Sequence, residues 1–482
     1  MRKKSNPILL LMLMLLVFLG GCGQSVSTSP PVQEKVDEEI TPPPESATAA
    51  EQAVQESPPE TEGEATEATE TTETPEPSVP AAEHPPFEYP DAIRGIYVTS
   101  HSAGGAKFPE LLNLVNTTDL NAMVIDIKDD HGWITYKRDD ELASFSKPFM
   151  KDPKQILQTL SDNKIYPIAR IVVFKDSVLA ANSPHLSFKS GGQVWKNRRG
   201  EAFVNPFLKE VWEHNVAIAK EAAKMGFQEI QFDYVRFPEG FETRDKTLTY
   251  GMGAYTQADL EPRLVQEWEK QKEQWERKHQ EIWAVARETQ PPIEALANET
   301  SPISAPINNL TAAPPKPQYD SVAARVTAVT DFVEYAKKEL EPYNVKVSVD
   351  IFGYTATLPE APGIGQNFLK ISSHVDVICS MIYPSHWGPG YFKIAKPDVE
   401  PYRLVQEYAK MENEKLSQLE NPPISRPWIQ DFTAPWLGKG NYIPYGKREV
   451  ELQIKALNEA GIKEFLVWNA GNNYTPNVDY TP

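Results

Sequence analysis

The sequence predicts an α/β fold: a (β/α)8 TIM barrel with a long insertion after strand 4, preceded by a signal peptide and a disordered stalk. Three observations predict it. Eight short runs rich in β-branched and aromatic residues succeed one another after Pro90, amphipathic helical stretches separate them, and glycine, proline and asparagine punctuate the junctions. Strands alternating with helices pair in parallel through crossover helices. Eight such units favour a closed barrel, although a doubly wound open sheet would give a similar string.

The chain starts MRKKSNPILLLMLMLLVFLGGC, a basic opening, an apolar run from Ile8 to Leu19 and small residues before Cys22. Residues 1–21 therefore read as a secretory signal, too short to span a bilayer comfortably. The ending Leu19-Gly20-Gly21-Cys22 resembles the lipobox of bacterial lipoproteins, in which the peptide is cut before the cysteine and its thiol is acylated. That resemblance implies lipidation at Cys22 and a protein held at the extracellular face of the bacterial cell membrane. The only other cysteine, Cys379, lies in an apolar run and is expected to be a buried thiol.

Residues 22–90 are dominated by Glu, Thr, Pro, Ala and Ser. Between Gly23 and Pro86 stand fifteen acidic residues and one lysine, a net of −14 within the −19 of the whole chain. Such a segment buries too little apolar surface to fold and reads as a solvated stalk. The remainder, 91–482, is only mildly acidic. No basic footprint argues for nucleic acid as a partner.

Within 91–482 the strand candidates are RGIYVTS, AMVIDIK, YPIARIVVF, EIQFDYV, VKVSVDIF, VDVICSMIY, PWIQDF and EFLVWNA. Between the third and fourth, NPFLKEVWEHNVAIAKEAAKMG offers Asn205 as N-cap, Pro206 at the first helical position and Gly226 as the terminating glycine. Before the end, KREVELQIKALNEAG puts Val450, Ile454 and Leu457 on one face and stops at Gly461. The alternation breaks between Phe241 and about Asp320, where a charged helix with Leu264, Trp268, Trp275 and Trp283 leads into a linker rich in Pro, Ala and Asn. Leaving the fourth strand just after Asp233, this insertion is expected on the catalytic face, as a lid, a substrate-holding arm or a tolerated excursion.

Side-chain parity locates the chemistry. In IQFDYV, Ile230, Phe232 and Tyr234 share one face; Gln231, Asp233 and Val235 share the other. The apolar face belongs against the helices, so Asp233 points into the barrel near its C-terminal mouth. The same parity turns Asp126 and Lys128 inward from the second strand and Ser348 and Asp350 inward from the fifth, while that of Asp431 is ambiguous. For each carboxylate alone, a buried ion pair with Arg170, Arg236 or Lys128 is the plain structural explanation. Several converging on the mouth point to catalysis, because repulsion among them raises one pKa beside an ionised neighbour.

The set RGIYVTS, VIDIKDDHG, FDYVRFP, VSVDIFGY, MIYPSHW, PWIQDF and LVWNAGNNY resembles the bacterial family described as the putative glycosyl hydrolase domain, over roughly Arg94 to the C-terminus. Its architecture is similar to the TIM-barrel glycosidases of the α-amylase type. By strand position that resemblance implies Asp233 as nucleophile, Asp350 as acid/base and Asp431 as a third carboxylate. Two departures stand out: an Asp replaces the usual Glu at 350, and Arg236 follows the nucleophile instead of preceding it. Asp126, Lys128, Arg170 and Arg236 join Tyr383, His386, Trp387, Trp468 and Asn469 as candidate substrate-binding residues. Aromatic faces stack on pyranose rings, and amides and imidazoles bind hydroxyls. Trp436, Asn472 and Tyr474 extend this rim.

The expected function is a cell-surface glycoside hydrolase acting on a poly- or oligosaccharide by a retaining two-carboxylate mechanism, without a cofactor. A non-catalytic glycan-binding lipoprotein on the same barrel is the principal alternative. A metal-dependent hydrolase is a weaker one, because no HExxH or HxxxH spacing occurs and His131 with Asp129 and Asp130 forms the only compact His/Asp group.

Overall fold

The computed structural model describes residues 87–288 and 313–481. The signal segment, Cys22, nearly all of the stalk and the centre of the linker lie outside the described residues. Eight strands form the barrel: β1 (Arg94–Val98), β2 (Ala122–Lys128), β3 (Tyr166–Val172), β4 (Glu229–Asp233), β5 (Lys346–Phe352), β6 (Val377–Met381), β7 (Trp428–Gln430) and β8 (Phe465–Trp468). Neighbours are parallel throughout, and β8 pairs back onto β1 to close the ring. All eight fall within the sequence-predicted runs.

Alternation along the strands separates two apolar layers. Ile125, Ile127, Ile230, Phe232, Val347, Val349 and Ile351 face outward to the helices. Inside stand Tyr97, Val124, Ile168, Cys379, Trp428 and Leu466. The interior is tight at Gly95, where a Cβ would lie 2.7 Å from Leu466 Cδ2 and 3.2 Å from the Ala122 Cβ. Among the outer helices, α1 (Lys209–Met225) ends at Gly226 with φ +114°, as its sequence requires. Its start differs from expectation. Asn205 Oδ1 accepts from Phe207 N–H in a turn before the helix, and the N-cap is Leu208.

Helix α2 (Gln257–Glu288) begins against α3 (Ser321–Leu340): Tyr255 Oη donates to Asp331 (2.7 Å) and Arg263 forms two bonds to the same carboxylate. Trp268 Nε1 then donates to Pro314 O at 2.8 Å, tying the arm to the returning chain. Two further outer helices, α4 (Pro401–Leu416) and α5 (Lys447–Glu459), cover β6 to β8; Val450, Ile454 and Leu457 are buried as the pattern of α5 predicts.

Parity fails at two strand ends. Between Asp126 and Lys128 the register against β3 slips by one residue, and this bulge turns Lys128 outward to Asp176 (2.6 Å), Asn215 Oδ1 (3.1 Å) and Val172 O (2.6 Å). Lys128 is thus an outer-layer cation instead of an inward substrate-binding one. On β4 the alternation stops at Tyr234, which has φ +52°, and Val235 packs in the outer layer instead of facing inward.

Candidate active site

Four strands deliver ionisable groups to the C-terminal mouth: Asp126 from β2, Arg170 from β3, Asp233 from β4 and Asp350 from β5. Arg170 is the hub. Its Nη1 donates to Asp126 Oδ1 (2.7 Å), while its Nε and Nη2 both donate to Asp233 Oδ2 (2.9 and 2.5 Å). Asp130 comes within 3.3 Å of the same guanidinium and 3.5 Å of Lys175. Asp233 Oδ1 accepts from Tyr234 N–H at 2.6 Å. Tyr97 Oη donates to Asp126 Oδ2, also at 2.6 Å.

Asp350 has a different environment. The β4–β5 register pairs Phe232 with Val349, so Asp233 and Asp350 occupy the next positions on adjacent strands. Trp428 Nε1 donates to Asp350 Oδ1 at 2.7 Å. Among the described residues no lysine or arginine forms a salt bridge with it. Burial, and after it the charge of Asp233, push the Asp350 carboxyl well above the usual carboxylate range. Burial also lifts Asp126, to about 7, against the pull of Arg170. Exposure is 6% at Asp233 and 2% at Asp350, so the former presents more surface to the mouth.

The opposite side of the mouth is aromatic. Trp468 stacks on Tyr97 with centroids 4.2 Å apart and planes 20° apart, and meets Trp428 edge-on at 5.5 Å. Tyr383 stands edge-on to Phe432 at 5.9 Å and to His386 at 5.1 Å. Trp468, Phe432 and His386 are at least partly open to solvent. Carboxylates from β2, β4 and β5 thus face rings from β6, β7 and β8. Such a division suits a ligand with stacking faces and a polar bond to be cleaved.

Residues 95–474 match the family described as "Putative glycosyl hydrolase domain". The chain belongs to that family. Among solved structures, a hypothetical protein from Ruminiclostridium thermocellum is 35% identical over 33% of this chain and 82% of its own, with a TM-score of 0.30. The PgaB (BpsB) glycoside hydrolase domain from Bordetella bronchiseptica is 15% identical over 78% of this chain and 94% of its own, with a TM-score of 0.47. A chitinase from Chromobacterium violaceum is 11% identical over 81% and 96%, with a TM-score of 0.39. No curated protein matches the chain.

In this domain, the candidates brought together are Asp126, Arg170, Asp233, Asp350, Tyr383 and Trp468, with His386 on the rim. Others have different employment. Both oxygens of Asp431 accept bonds from Thr475, at 2.8 Å from its N–H and 2.5 Å from its hydroxyl, so this carboxylate fastens the C-terminal segment instead of joining Asp233 and Asp350. Trp387 packs outward, edge-on to Tyr408 of α4 at 5.7 Å. Asn469 is consumed by its own loop: its Nδ2 donates to Asp431 O and Asn473 O, and its Oδ1 accepts from Gly471 and Asn473 N–H. Arg236, 3% exposed, pairs with Glu239 (2.7 Å) and lies over the rings of Tyr234 and Phe352. Asn472 and Tyr474 bond to Tyr97 O and fix the β8 loop to β1.

Sequence reasoning missed Tyr97, Trp428, Lys175 and Tyr234 as members of the site, and named Asp130 only within a compact His/Asp group. Inward parity was available for Tyr97 and Trp428; for the left-handed backbone of Tyr234 the sequence offered no signal. Among the described residues no group of three or more His, Cys, Asp and Glu side chains is placed to hold a metal ion.

Proposed function

We propose that the protein is a retaining glycoside hydrolase with Asp233 as nucleophile and Asp350 as acid/base. One observation carries this reading: adjacent strand ends hold two inward carboxyls in opposite conditions. Asp233 is bonded through one oxygen to a guanidinium, whereas Asp350 has only an indole N–H donor and its carboxyl is pushed well above the usual carboxylate range by burial and by the charge of Asp233. Neighbouring strands lie about 4.8 Å apart, which suits the ~5 to 5.5 Å separation of retaining pairs better than the wider inverting gap.

Asp233 attacks the anomeric carbon through Oδ1 while Arg170 retains Oδ2. Asp350 protonates the departing glycosidic oxygen; with Oδ1 engaged by Trp428, Oδ2 carries the proton. In the second half, the Asp350 carboxylate takes a proton from water, which then cleaves the glycosyl ester. Trp468 offers the stacking face for a sugar ring. Asp126 orients Arg170. The substrate is a poly- or oligosaccharide reached from the extracellular face of the cell membrane, where a lipid on Cys22 would hold the protein; this anchoring rests on the basic start, the apolar run and the Leu19–Cys22 ending.

The test is release of reducing ends from wall and extracellular polysaccharides, with Asp233→Asn as control. Cleavage by the parent and none by the variant supports the assignment. Equal turnover by both removes Asp233 as nucleophile. Glycan binding without any cleavage favours a glycan-binding lipoprotein on the same barrel.

A further inference from the structure

The residue directly after the proposed nucleophile has a backbone that side chains of its class avoid. Tyr234 has φ +52°, the left-handed region, where a bulky aromatic residue is an outlier. Strain of this kind persists only where the surroundings over-determine it. Here they do so from several sides. The carbonyl of Tyr234 accepts from Phe174 N–H (3.3 Å) and Arg236 N–H (2.8 Å), and that of Asp233 accepts from Val173 N–H (2.9 Å). Two cations approach the ring, Lys175 Nζ at 4.6 Å and Arg236 Cζ at 4.7 Å from its centroid. Lys175 Nζ also donates to Tyr234 Oη at 3.3 Å. One residue on, the Val235 carbonyl accepts from Gln366 Nε2, and its side chain is locked in the outer layer.

Beside this strained residue lies one hydrogen bond to the proposed nucleophile. The peptide between Asp233 and Tyr234 keeps the orientation of the ladder, with the Asp233 carbonyl on Val173 N–H, and its own N–H meets Oδ1 of Asp233 at 2.6 Å. The left-handed turn at Tyr234 takes the chain out of the strand directly after this peptide. Arg170 grips the other oxygen, so the plane of the carboxylate is fixed at both ends.

We propose that Tyr234 is the positioning residue of the centre: its N–H fixes Asp233 Oδ1, and its left-handed backbone, held with its ring against Lys175 and Arg236, keeps that peptide in place and so sets the line of attack. This rests on the reading of Asp233 as nucleophile. The ring holds the backbone, and the backbone holds the carboxylate; Tyr234 itself need not touch the sugar.

The test separates backbone from ring with substitutions that differ in tolerance of positive φ, made in the full chain. Tyr234→Gly and Tyr234→Asn accept the left-handed region, whereas Tyr234→Val resists it. Misplacing a reacting group by about 1 Å costs about 10²-fold. The expected order is therefore a kcat loss under about tenfold for Gly and Asn and about 100-fold for Val, with KM little changed in all three. Equal losses in all three variants, or a Val variant as active as Gly, overturn the proposal.

A second measurement is independent of turnover. The amide proton of residue 234, followed by NMR with selective 15N labelling, should lie far downfield, move as Asp233 is protonated, and stop moving in Asp233→Asn. The Gly variant should keep this behaviour and the Val variant lose it; an amide insensitive to Asp233 in the parent protein overturns the proposal. Should the Val variant fail to fold, Tyr234→Ala takes its place. If the parent cleaves no glycan, the hydrolase reading fails while the amide measurement still decides the positioning role.

Discussion

Strand β4 carries a carboxylate at each end, and the two have opposite fates. Glu229 begins the strand at the floor of the barrel and Asp233 ends it at the mouth, both on the inward parity, about 13 Å apart at 3.3 Å per residue. At the floor, Arg426 Nη1 donates to Glu229 Oε1 (2.7 Å), its Nε to Glu464 Oε2 (2.8 Å) and its Nη2 to Tyr89 Oη (2.8 Å). Ser348 Oγ adds a bond to Glu229 at 2.6 Å. Tyr89, from the segment entering the barrel, packs edge-on to Tyr166 at 5.4 Å and covers the network. At the mouth Arg170 is likewise shared between carboxylates, but the next carboxyl along, Asp350, lies beyond its grip and has only the buried Trp428 indole as partner. Residue type is therefore a poor guide to role. What separates the two ends is whether each carboxyl has a cation and whether the site is covered.

The largest effect expected from this contrast is catalytic. Asp350→Asn should lower kcat on the order of 10²- to 10⁴-fold, the scale of a lost general acid. Thermal unfolding should show no loss of stability. A carboxyl whose folded pKa is raised contributes stability below its unfolded pKa and loses it as pH rises through the folded value, so the variant should be the more stable protein at alkaline pH. The converse belongs to the floor. Arg426→Met leaves Glu229 and Glu464 buried without their cation and should cost about 3–5 kcal/mol in urea unfolding, while kcat of the folded fraction stays at the parent value. A floor variant that unfolds no more readily, or a mouth variant that unfolds first, breaks the comparison.

A smaller effect tests whether burial alone makes a catalytic acid. Glu412 of α4 is fully buried in the outer layer, accepts from Ser425 Oγ at 2.8 Å and is pushed up to about 7 by burial, with only the hydroxyls of Ser425, Tyr408 and Ser380 opposing it. Its folded pKa exceeds the unfolded one, so its contribution is complete below about pH 4.5 and lost as pH rises through about 7. Glu412→Gln should therefore gain up to about 3 kcal/mol over the parent at pH 8, nothing at pH 4, and leave kcat untouched. A raised pKa becomes chemistry only at the mouth.

Most of this contrast was written in strand parity. The period of two in IQFD placed Gln231 and Asp233 inside, and Gln231 indeed spans the barrel to Cys379 Sγ (3.3 Å). Parity is reliable while the ladder is regular and fails where it ends. A one-residue bulge reversed Lys128, and a left-handed residue reversed Val235. Beyond the strands the same residue types serve the loops themselves: Asn469 satisfies backbone groups around its turn, and Asp431 caps Thr475. Composition marks such a loop as rich in polar and aromatic side chains, but which of them face the mouth depends on tertiary bonds made hundreds of residues away, as between Asn472 and Tyr97.

The finest test uses one neutral donor at each end of the barrel. Trp428→Phe removes the indole N–H from Asp350, and Ser348→Ala removes the hydroxyl from Glu229; each deletes a single hydrogen bond to a buried carboxyl, about 1 kcal/mol in scale. At the mouth the lost N–H had favoured the ionised form, so Asp350 should hold its proton to higher pH. An acid is active below its pKa, and the alkaline limb of kcat/KM should accordingly move up by somewhat less than one pH unit. At the floor the same chemical change should appear only as lower stability in denaturant, with the pH profile in place. A limb that stays where it was in Trp428→Phe would mean that Asp350 does not supply the catalytic proton, and a limb that moves in Ser348→Ala would mean that the floor is electrically joined to the mouth.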